Sequence, residues 1–340
     1  MSLAAVLHGP RDVRIEERPI PLLGERDVLV EIRTVGVCGS DVHYYEHGRI
    51  GQFVVTEPLV LGHEASGVVV DRGTRARKHA VGGRVALEPG VPCGRCEHCR
   101  HGRYNLCPDM KFFATPPIDG AFASCVAIHE DYAFALPPEL SHDAGALLEP
   151  LSVGIWACRK GRVEFGSRVL VTGAGPIGNL AMQVARAAGA TSVAVVDTNR
   201  ARLSRAKELG ASTTLERIDD LLDYRFDVLL ECTGNEAVTS AAISALRPAG
   251  TAVLVGMGPT LEQRLPVAVM QAREINLVGT FRYANTYPAA IALAASARVQ
   301  LDGLVDARFP LEETDHALRA NRENASLLKA MVDVKRKGSS

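Results

Sequence analysis

Strong charge of either sign is missing from this sequence. Its 38 Lys and Arg are set against 39 Asp and Glu, leaving a formal net charge of −1. A near-neutral chain has no electrostatic footprint for nucleic acid or for an anionic membrane. Arg and Lys gather only locally, at residues 72–78 and 335–337, which read as a solvated loop and a tail. No apolar run approaches the ~18 residues a membrane span requires. The start of the chain shows no basic-then-apolar leader pattern. No repeat or low-complexity stretch stands out beyond Gly338-Ser339-Ser340. The expected protein is cytoplasmic, with neither a nucleic-acid nor a membrane partner.

What is present is an ordinary globular balance: 340 residues, 47% hydrophobic and 23% charged, enough for two compact domains. Eight cysteines in a reducing compartment are poor candidates for disulfides and good ones for metal ligation. The first ~150 residues alternate short β-branched runs with Gly/Pro turns, at 28–35, 67–70, 84–87 and 122–128, which predicts a β-rich domain. From Arg168 the texture becomes strand, glycine turn, helix. Runs at 168–172, 192–197, 227–231, 251–255 and 276–280 read as strands, and 177–188 and 199–209 as helices. Their continuous apolar character suits parallel strands covered on both faces.

Gly173-Ala174-Gly175-Pro176-Ile177-Gly178 follows the first of these strands and opens a helix, with Asp197 about twenty residues on. Gly173 serves the tight turn, Gly175 lets backbone approach a pyrophosphate, and Gly178 allows close helix–strand packing. Asp197 would accept hydrogen bonds from ribose hydroxyls and repel a 2′-phosphate, which favours NAD over NADP. Arg200 and Arg202 temper that preference.

Cys93-x2-Cys96-x2-Cys99-x7-Cys107 supplies four thiols in one glycine-bearing loop. Four soft ligands close a tetrahedral Zn²⁺ site, so this one should be structural, with His98 and His101 surplus. Two further elements carry metal-ligand residue types: Cys38-Gly39-Ser40-Asp41-Val42-His43 after a strand, and Gly62-His63-Glu64 at the start of another. Glu149 lies where the texture changes.

In this order, the Cys38 element, Gly62-His63-Glu64, the four-cysteine loop, Glu149 and the glycine fingerprint resemble the zinc-containing medium-chain dehydrogenase/reductase family. The stretch from His43-Tyr44-Tyr45 through Phe53-Val54-Val55 is similar to the family's sorbitol/xylitol (polyol) dehydrogenase branch. Ala114-Thr115-Pro116-Pro117, Leu148-Glu149-Pro150, Glu231-Cys232-Thr233-Gly234, Val255-Gly256-Met257-Gly258 and Phe281-Arg282-Tyr283 extend that likeness over essentially the whole chain.

The resemblance implies an α/β protein of two domains. A GroES-like β-rich catalytic domain would take residues 1–150 and 285–340, with both zinc sites. A Rossmann doubly wound parallel-sheet domain would take 151–284 and bind NAD. Per chain it implies one catalytic Zn²⁺, held by Cys38, His63 and either Glu64 or Glu149, and one structural Zn²⁺. Ser40 would accept the substrate proton and His43 pass it on, with Glu149 beside them. Gly173, Gly175, Pro176, Ile177, Gly178, Asp197, Arg202, Thr233, Val255, Gly256, Met257, Phe281 and Arg282 would face the cofactor. Tyr44, Phe53, Phe112, Thr115, Glu149, Arg282 and Tyr283 would face a small polyol or its ketose. Cys125, Cys158 and Cys232 are expected to be buried and inert. A homotetramer is expected, with a homodimer as the alternative. The other readings are a relative acting on threonine or a diol, and a non-enzymatic NAD-binding relative.

Two departures from the family pattern are visible. Gly82-Gly83-Arg84-Val85 lacks the carboxylate that usually braces this turn, and 213–225 is shorter than in the branch.

Overall fold

A computed structural model describes residues 1–221, 225–258 and 262–334. The basic 335–337 stretch and the Gly338-Ser339-Ser340 tail lie outside the described residues, as does 222–224 of the shortened segment. The chain divides into two units, Met1–Glu149 with Leu301–Ser340, and Pro150–Gln300. The first division falls inside the helix His142–Gly161. The chain returns to the first unit at Leu301, later than the 285 expected, because 283–300 is tied into the second. Arg159 Nη1 donates to the Asn285 carbonyl at 2.9 Å. The Tyr283 and Tyr287 rings pair at 6.1 Å, and Gln300 exchanges two hydrogen bonds with the Gln183 amide.

The first unit is organised by the strand Asp27–Gly36, where Val28, Val30 and Ile32 alternate inward as period-two patterning requires. It pairs antiparallel with Glu64–Arg72, Cys125–His129 and Lys329–Asp333. The register sets Gly36 opposite Glu64 and opposite Met331, so three distant stretches meet at the end of one strand. The strand expected at 122–128 begins only at Cys125. Phe122 precedes it, wholly buried, with its N–H on the Leu61 carbonyl at 2.9 Å.

A buried carboxylate holds the stretch just before the turn that lacks its usual one. Buried Glu130 accepts the N–H groups of Lys78 (2.7 Å) and Arg77 (2.6 Å) and the Arg26 Nε–H (2.9 Å). The Lys78 amide, with those of Arg77 and the Arg26 guanidinium, overcomes the effect of burial and holds its pKa down at about 2.

The second unit carries a six-stranded parallel sheet. Its strands lie in the order Thr213–Leu215, Ser192–Val196, Arg168–Thr172, Phe226–Glu231, Leu246–Leu254, Asn276–Gly279. Val169 through Thr172 and Val193 through Val196 are buried without interruption, as strands covered on both faces should be. The strand order reverses between Arg168–Thr172 and Phe226–Glu231. A ligand binds outside the carboxyl ends of strands at such a switch point. Among the described residues no helix is long and apolar enough to cross a membrane.

Candidate active site

Cys38 caps the helix Gly39–His47, which begins just after the strand Asp27–Gly36. Buried Asp41, in that helix's first turn, accepts the Cys38 N–H at 3.0 Å and the Gly62 N–H at 2.9 Å. One carboxylate thus ties together the two stretches that carry Cys38 and His63. Glu64 opens the next strand, and the ligand atoms of Cys38, His63 and Glu64 all lie within 4.8 Å of one another.

Glu64 is only 1% exposed, and an unpaired charge at that depth would cost several kcal/mol. Its partner is Lys329, buried to 3%, whose Nζ donates to both Glu64 oxygens at 2.8 and 2.7 Å and to the Val37 carbonyl at 2.9 Å. Gly36 makes the room: a Cβ there would sit on the Glu64 Oε2. Neither Lys329 nor Gly36 was singled out in the sequence, since nothing local to either announces Glu64. A lysine in the last strand with a continuous apolar run behind it was the one available signal.

A thiolate, an imidazole and a carboxylate are a donor set suited to Zn²⁺, and three ligands leave a coordination position open. The electrostatics fit. Burial opposes a charge on His63, yet Asp41 and Cys38 outweigh it and hold the His63 pKa well above the ordinary value. A site with that field favours positive charge. Glu149, buried in the helix His142–Gly161, stands outside the Cys38–His63–Glu64 trio. Its charge is felt by Lys329 and Glu88. Ser40 is half-buried and His43 exposed on the helix that Cys38 caps.

The ligand atoms of Cys93, Cys96, Cys99 and Cys107 also lie within 4.8 Å of one another. Backbone N–H groups of Cys93 and Cys96 point at the sulfurs of Cys107 and Cys93, each at 3.4 Å. Hydrogen bonds from the Arg95 and Cys96 amides pull the Cys93 thiol down to about 7. Burial, and then Cys96, push Cys99 up to about 12. Four thiols so close cannot all ionise without a countercharge, and a divalent cation supplies it. His98 and His101 are exposed and outside the set.

In the second unit the glycine turn has the shape a dinucleotide needs. A Cβ at Gly178 would collide with the Gly173 carbonyl, so helix and strand approach closely only because residue 178 is glycine. Pro176 starts the helix Pro176–Ala187, whose first N–H groups stay available to an anion. Asp197 Oδ2 accepts the Ala174 N–H at 2.7 Å and Oδ1 the Asn199 N–H at 2.8 Å. Arg200 is held by Glu216 at 2.8 Å, and Arg202 Nη1 approaches Gly175 instead.

Glu231, quoted in the sequence without a role, sits buried at the switch point. Its carboxylate accepts the Thr172 hydroxyl (3.2 Å), the Thr233 hydroxyl and the N–H groups of Thr233 (2.8 Å) and Gly234 (3.1 Å). Its carbonyl accepts the Val255 and Gly256 N–H groups at 2.8 and 2.9 Å. Met257 and Phe281 are exposed, and the Arg282 guanidinium lies over the Phe281 ring at 4.9 Å.

Of the residues expected to face substrate, Tyr44 packs into the first unit's hydrophobic core and Phe53 rests against that core, half-buried. Phe112 is buried with its ring centroid 5.8 Å from that of His63, and the Thr115 N–H bonds to the Phe112 carbonyl at 3.1 Å. Tyr283 is buried against Tyr287 in the second unit. Of the three thiols expected to be buried, only Cys158 is, and burial pushes it up to about 12. Cys125, on a strand with its side half-covered, and Cys232, at a strand's end, are half-buried.

The alcohol dehydrogenase GroES-like domain family matches residues 24–138, and the zinc-binding dehydrogenase family matches residues 176–296. Sorbitol dehydrogenase of Rattus norvegicus is 45% identical over 342 residues, covering 97% of this chain and 95% of the rat protein. Sorbitol dehydrogenase of Bacillus subtilis is 42% identical over 339 residues, covering 97% and 96%. Among solved structures, L-idonate 5-dehydrogenase from Escherichia coli matches with a TM-score of 0.92 at 30% identity, covering 98% of each chain. With its donor set and glycine turn in place, the chain belongs to the zinc-containing medium-chain dehydrogenase/reductase family, in its sorbitol (polyol) dehydrogenase branch.

Proposed function

We propose that this chain oxidises a secondary hydroxyl of a polyol of the sorbitol/xylitol type to the ketose, with NAD as acceptor. The observation that carries the reading is the buried trio of Cys38, His63 and Glu64 on a chain that also holds the Gly173–Gly178 turn. Bound zinc would supply Lewis acidity at the substrate hydroxyl, and NAD the acceptor for hydride. Cys38, His63 and Glu64 hold the metal, with Lys329 fixing the carboxylate. Ser40 takes the hydroxyl proton, and His43, exposed on the same helix, passes it to water. Glu149 adds a second carboxylate beside them. Tyr44, Phe53, Phe112 and Thr115 in the first unit are the residues we assign to substrate contact, as are Arg282 and Tyr283 by the family likeness. The Cys93–Cys107 loop holds the structural zinc.

Gly173, Gly175, Pro176, Ile177 and Gly178 receive the pyrophosphate. Asp197 takes the ribose hydroxyls, Arg202 lies beside the turn, and Thr233, Val255, Gly256, Met257, Phe281 and Arg282 complete the nicotinamide side. The Arg200–Glu216 pair favours NAD over NADP, because that arginine's charge is already matched. Asp197→Ala should weaken NADH binding about tenfold, read by fluorescence titration, and narrow its preference over NADPH. Retained affinity and preference would remove Asp197 from the site.

The assembly we propose is a homotetramer in the cytoplasm, with a homodimer as the alternative. Strand Asn276–Gly279 ends its sheet with Leu277 exposed, and Val267 nearby is exposed as well. Such an edge favours pairing with a second copy. Free thiols at Cys93, Cys96 and Cys99 suit a reducing compartment. The function is tested by NADH formation across sorbitol, xylitol, simple secondary alcohols, 2,3-butanediol and threonine. Preference for the polyols supports the reading. Activity confined to threonine or the diol overturns the substrate class, and silence on all of them, with zinc loaded, overturns the enzyme.

A further inference from the structure

The Cys93–Cys107 loop is more than a self-contained knot, because the loop and the chain after it grip the segment Glu88-Pro89-Gly90-Val91 that precedes it. Within the loop, Tyr104 donates its hydroxyl to Glu88 Oε1 at 2.6 Å, and the Tyr104 carbonyl accepts the Cys107 N–H at 2.9 Å. Its ring meets Tyr132 edge-on at 6.2 Å, while the Tyr132 carbonyl accepts the Glu88 N–H at 2.8 Å. Just after the loop, the Met110 N–H bonds to the Cys107 carbonyl at 3.3 Å, and Lys111–Phe112 pairs with Gly90–Val91. Phe113 adds a bond from its N–H to the Pro89 carbonyl at 3.0 Å. A Cβ on Gly90 would meet the Phe112 ring at 3.0 Å and the Met110 sulfur at 3.1 Å, so the glycine lets both side chains lie flat on the strand.

The product of this grip is the Phe112 ring, set 5.8 Å from the His63 ring at an interplanar tilt of 53°. A metal-binding histidine is ordinarily oriented by a hydrogen bond to its second nitrogen. Here the nearest carboxylate, Asp41 Oδ1, stands 3.6 Å from His63 Nδ1, beyond hydrogen-bond range. That long contact leaves part of the ring's orientation to packing.

We infer that the four-cysteine loop is a positioning element for the catalytic metal ligand His63, acting through Phe112 and through the Tyr104–Glu88 bond. Phe112 is accordingly a positioning residue as well as a wall of the substrate pocket. Emptying the cysteine site loosens the Lys111–Phe112 strand, frees the His63 ring and weakens metal binding at Cys38 and His63.

The inference rests on Cys38 and His63 holding zinc, and the test separates the two. Zinc per chain is measured for the native protein and for Cys38→Ser, and release to a chelator is then timed. If Cys38→Ser still retains two zinc ions, the metal reading fails and this inference with it. Given one zinc in Cys38→Ser, Cys96→Ser should release its remaining zinc about tenfold faster than the native protein releases that same ion. Phe112→Leu, with the cysteine site intact, should do the same. The double variant should be no faster than either, since both act through one path. The Co²⁺ spectrum of the Cys38–His63 site should change in both variants. Should Cys96→Ser or Phe112→Leu fail to fold, Tyr104→Phe tests the second arm, with a smaller acceleration expected. An unchanged release rate and unchanged Co²⁺ spectrum after the cysteine site is emptied would overturn the inference.

Discussion

Cys93, Cys96, Cys99 and Cys107 come from one short loop near the surface, three of them half-exposed. Cys38, His63 and Glu64 come from two separate stretches and depend on Lys329 from the last described strand. The first cluster sets its thiols against one another and a few backbone N–H groups, and leaves their charge for a cation to balance. The second is built into the sheet, where every charge has a buried counterpart: Lys329 for Glu64, and Asp41 against two backbone N–H groups. A site assembled locally can lose its metal and leave the core standing. A site assembled from the register of three strands brings Cys38, His63 and Glu64 together before its own metal arrives, which is the preorganisation catalysis needs.

The sharpest way to break this contrast is to remove one ligand from the second cluster. Cys38→Ser should lower the rate of NADH formation by about 10³-fold or more, since Lewis-acid stabilisation is worth several kcal/mol. Its thermal midpoint should move little, because Cys38 lies at a helix start rather than in the core. A variant with near-native turnover would contradict the assignment.

Next in size is the ion pair. Lys329→Met leaves the Glu64 carboxylate buried and unmatched, so the metal-free protein should lose about 3–5 kcal/mol in urea unfolding. Adding Glu64→Gln should restore much of that loss. If the double variant is no more stable than Lys329→Met, the pair is not what holds the end of this strand.

The smallest effect belongs to Glu88, which accepts the hydroxyl of Tyr104 from the cysteine loop. Burial, with a contribution from the Glu149 charge, pushes its pKa up to about 7 against the pull of the Tyr104 hydroxyl. The folded state therefore holds this proton more tightly than the unfolded chain does. Stability from it is full below about pH 4.5 and lost as pH rises to about 7, worth about 3 kcal/mol across that window. Glu88→Gln should flatten this part of the stability–pH curve. A slope that survives the substitution would assign it to another group.

The cysteine loop and the glycine turn were legible because each is local: spacing alone states the geometry. The parallel sheet was legible from uninterrupted apolar runs at 168–172 and 192–196. Cys38, His63 and Glu64 could be named, but a choice between Glu64 and Glu149 could not be made, since register decides which carboxylate reaches Cys38. Lys329, Glu130 and Glu231 each satisfy a need created far away in the sequence: a buried carboxylate, two amides at residues 77 and 78, two strand ends meeting at a switch point. Nothing in the neighbouring residues states such a need. The late return at Leu301 was hidden for the same reason, being set by Gln183 and Arg159.

The most direct test of the whole account is zinc restoration. Protein stripped by chelator is supplied with sorbitol or xylitol and NAD, and NADH formation is followed as zinc is added back. The account predicts no turnover without metal, recovery as the Cys38–His63–Glu64 site fills, and no recovery in Cys38→Ser. Full activity in the stripped protein, or recovery in Cys38→Ser equal to the native, would contradict it.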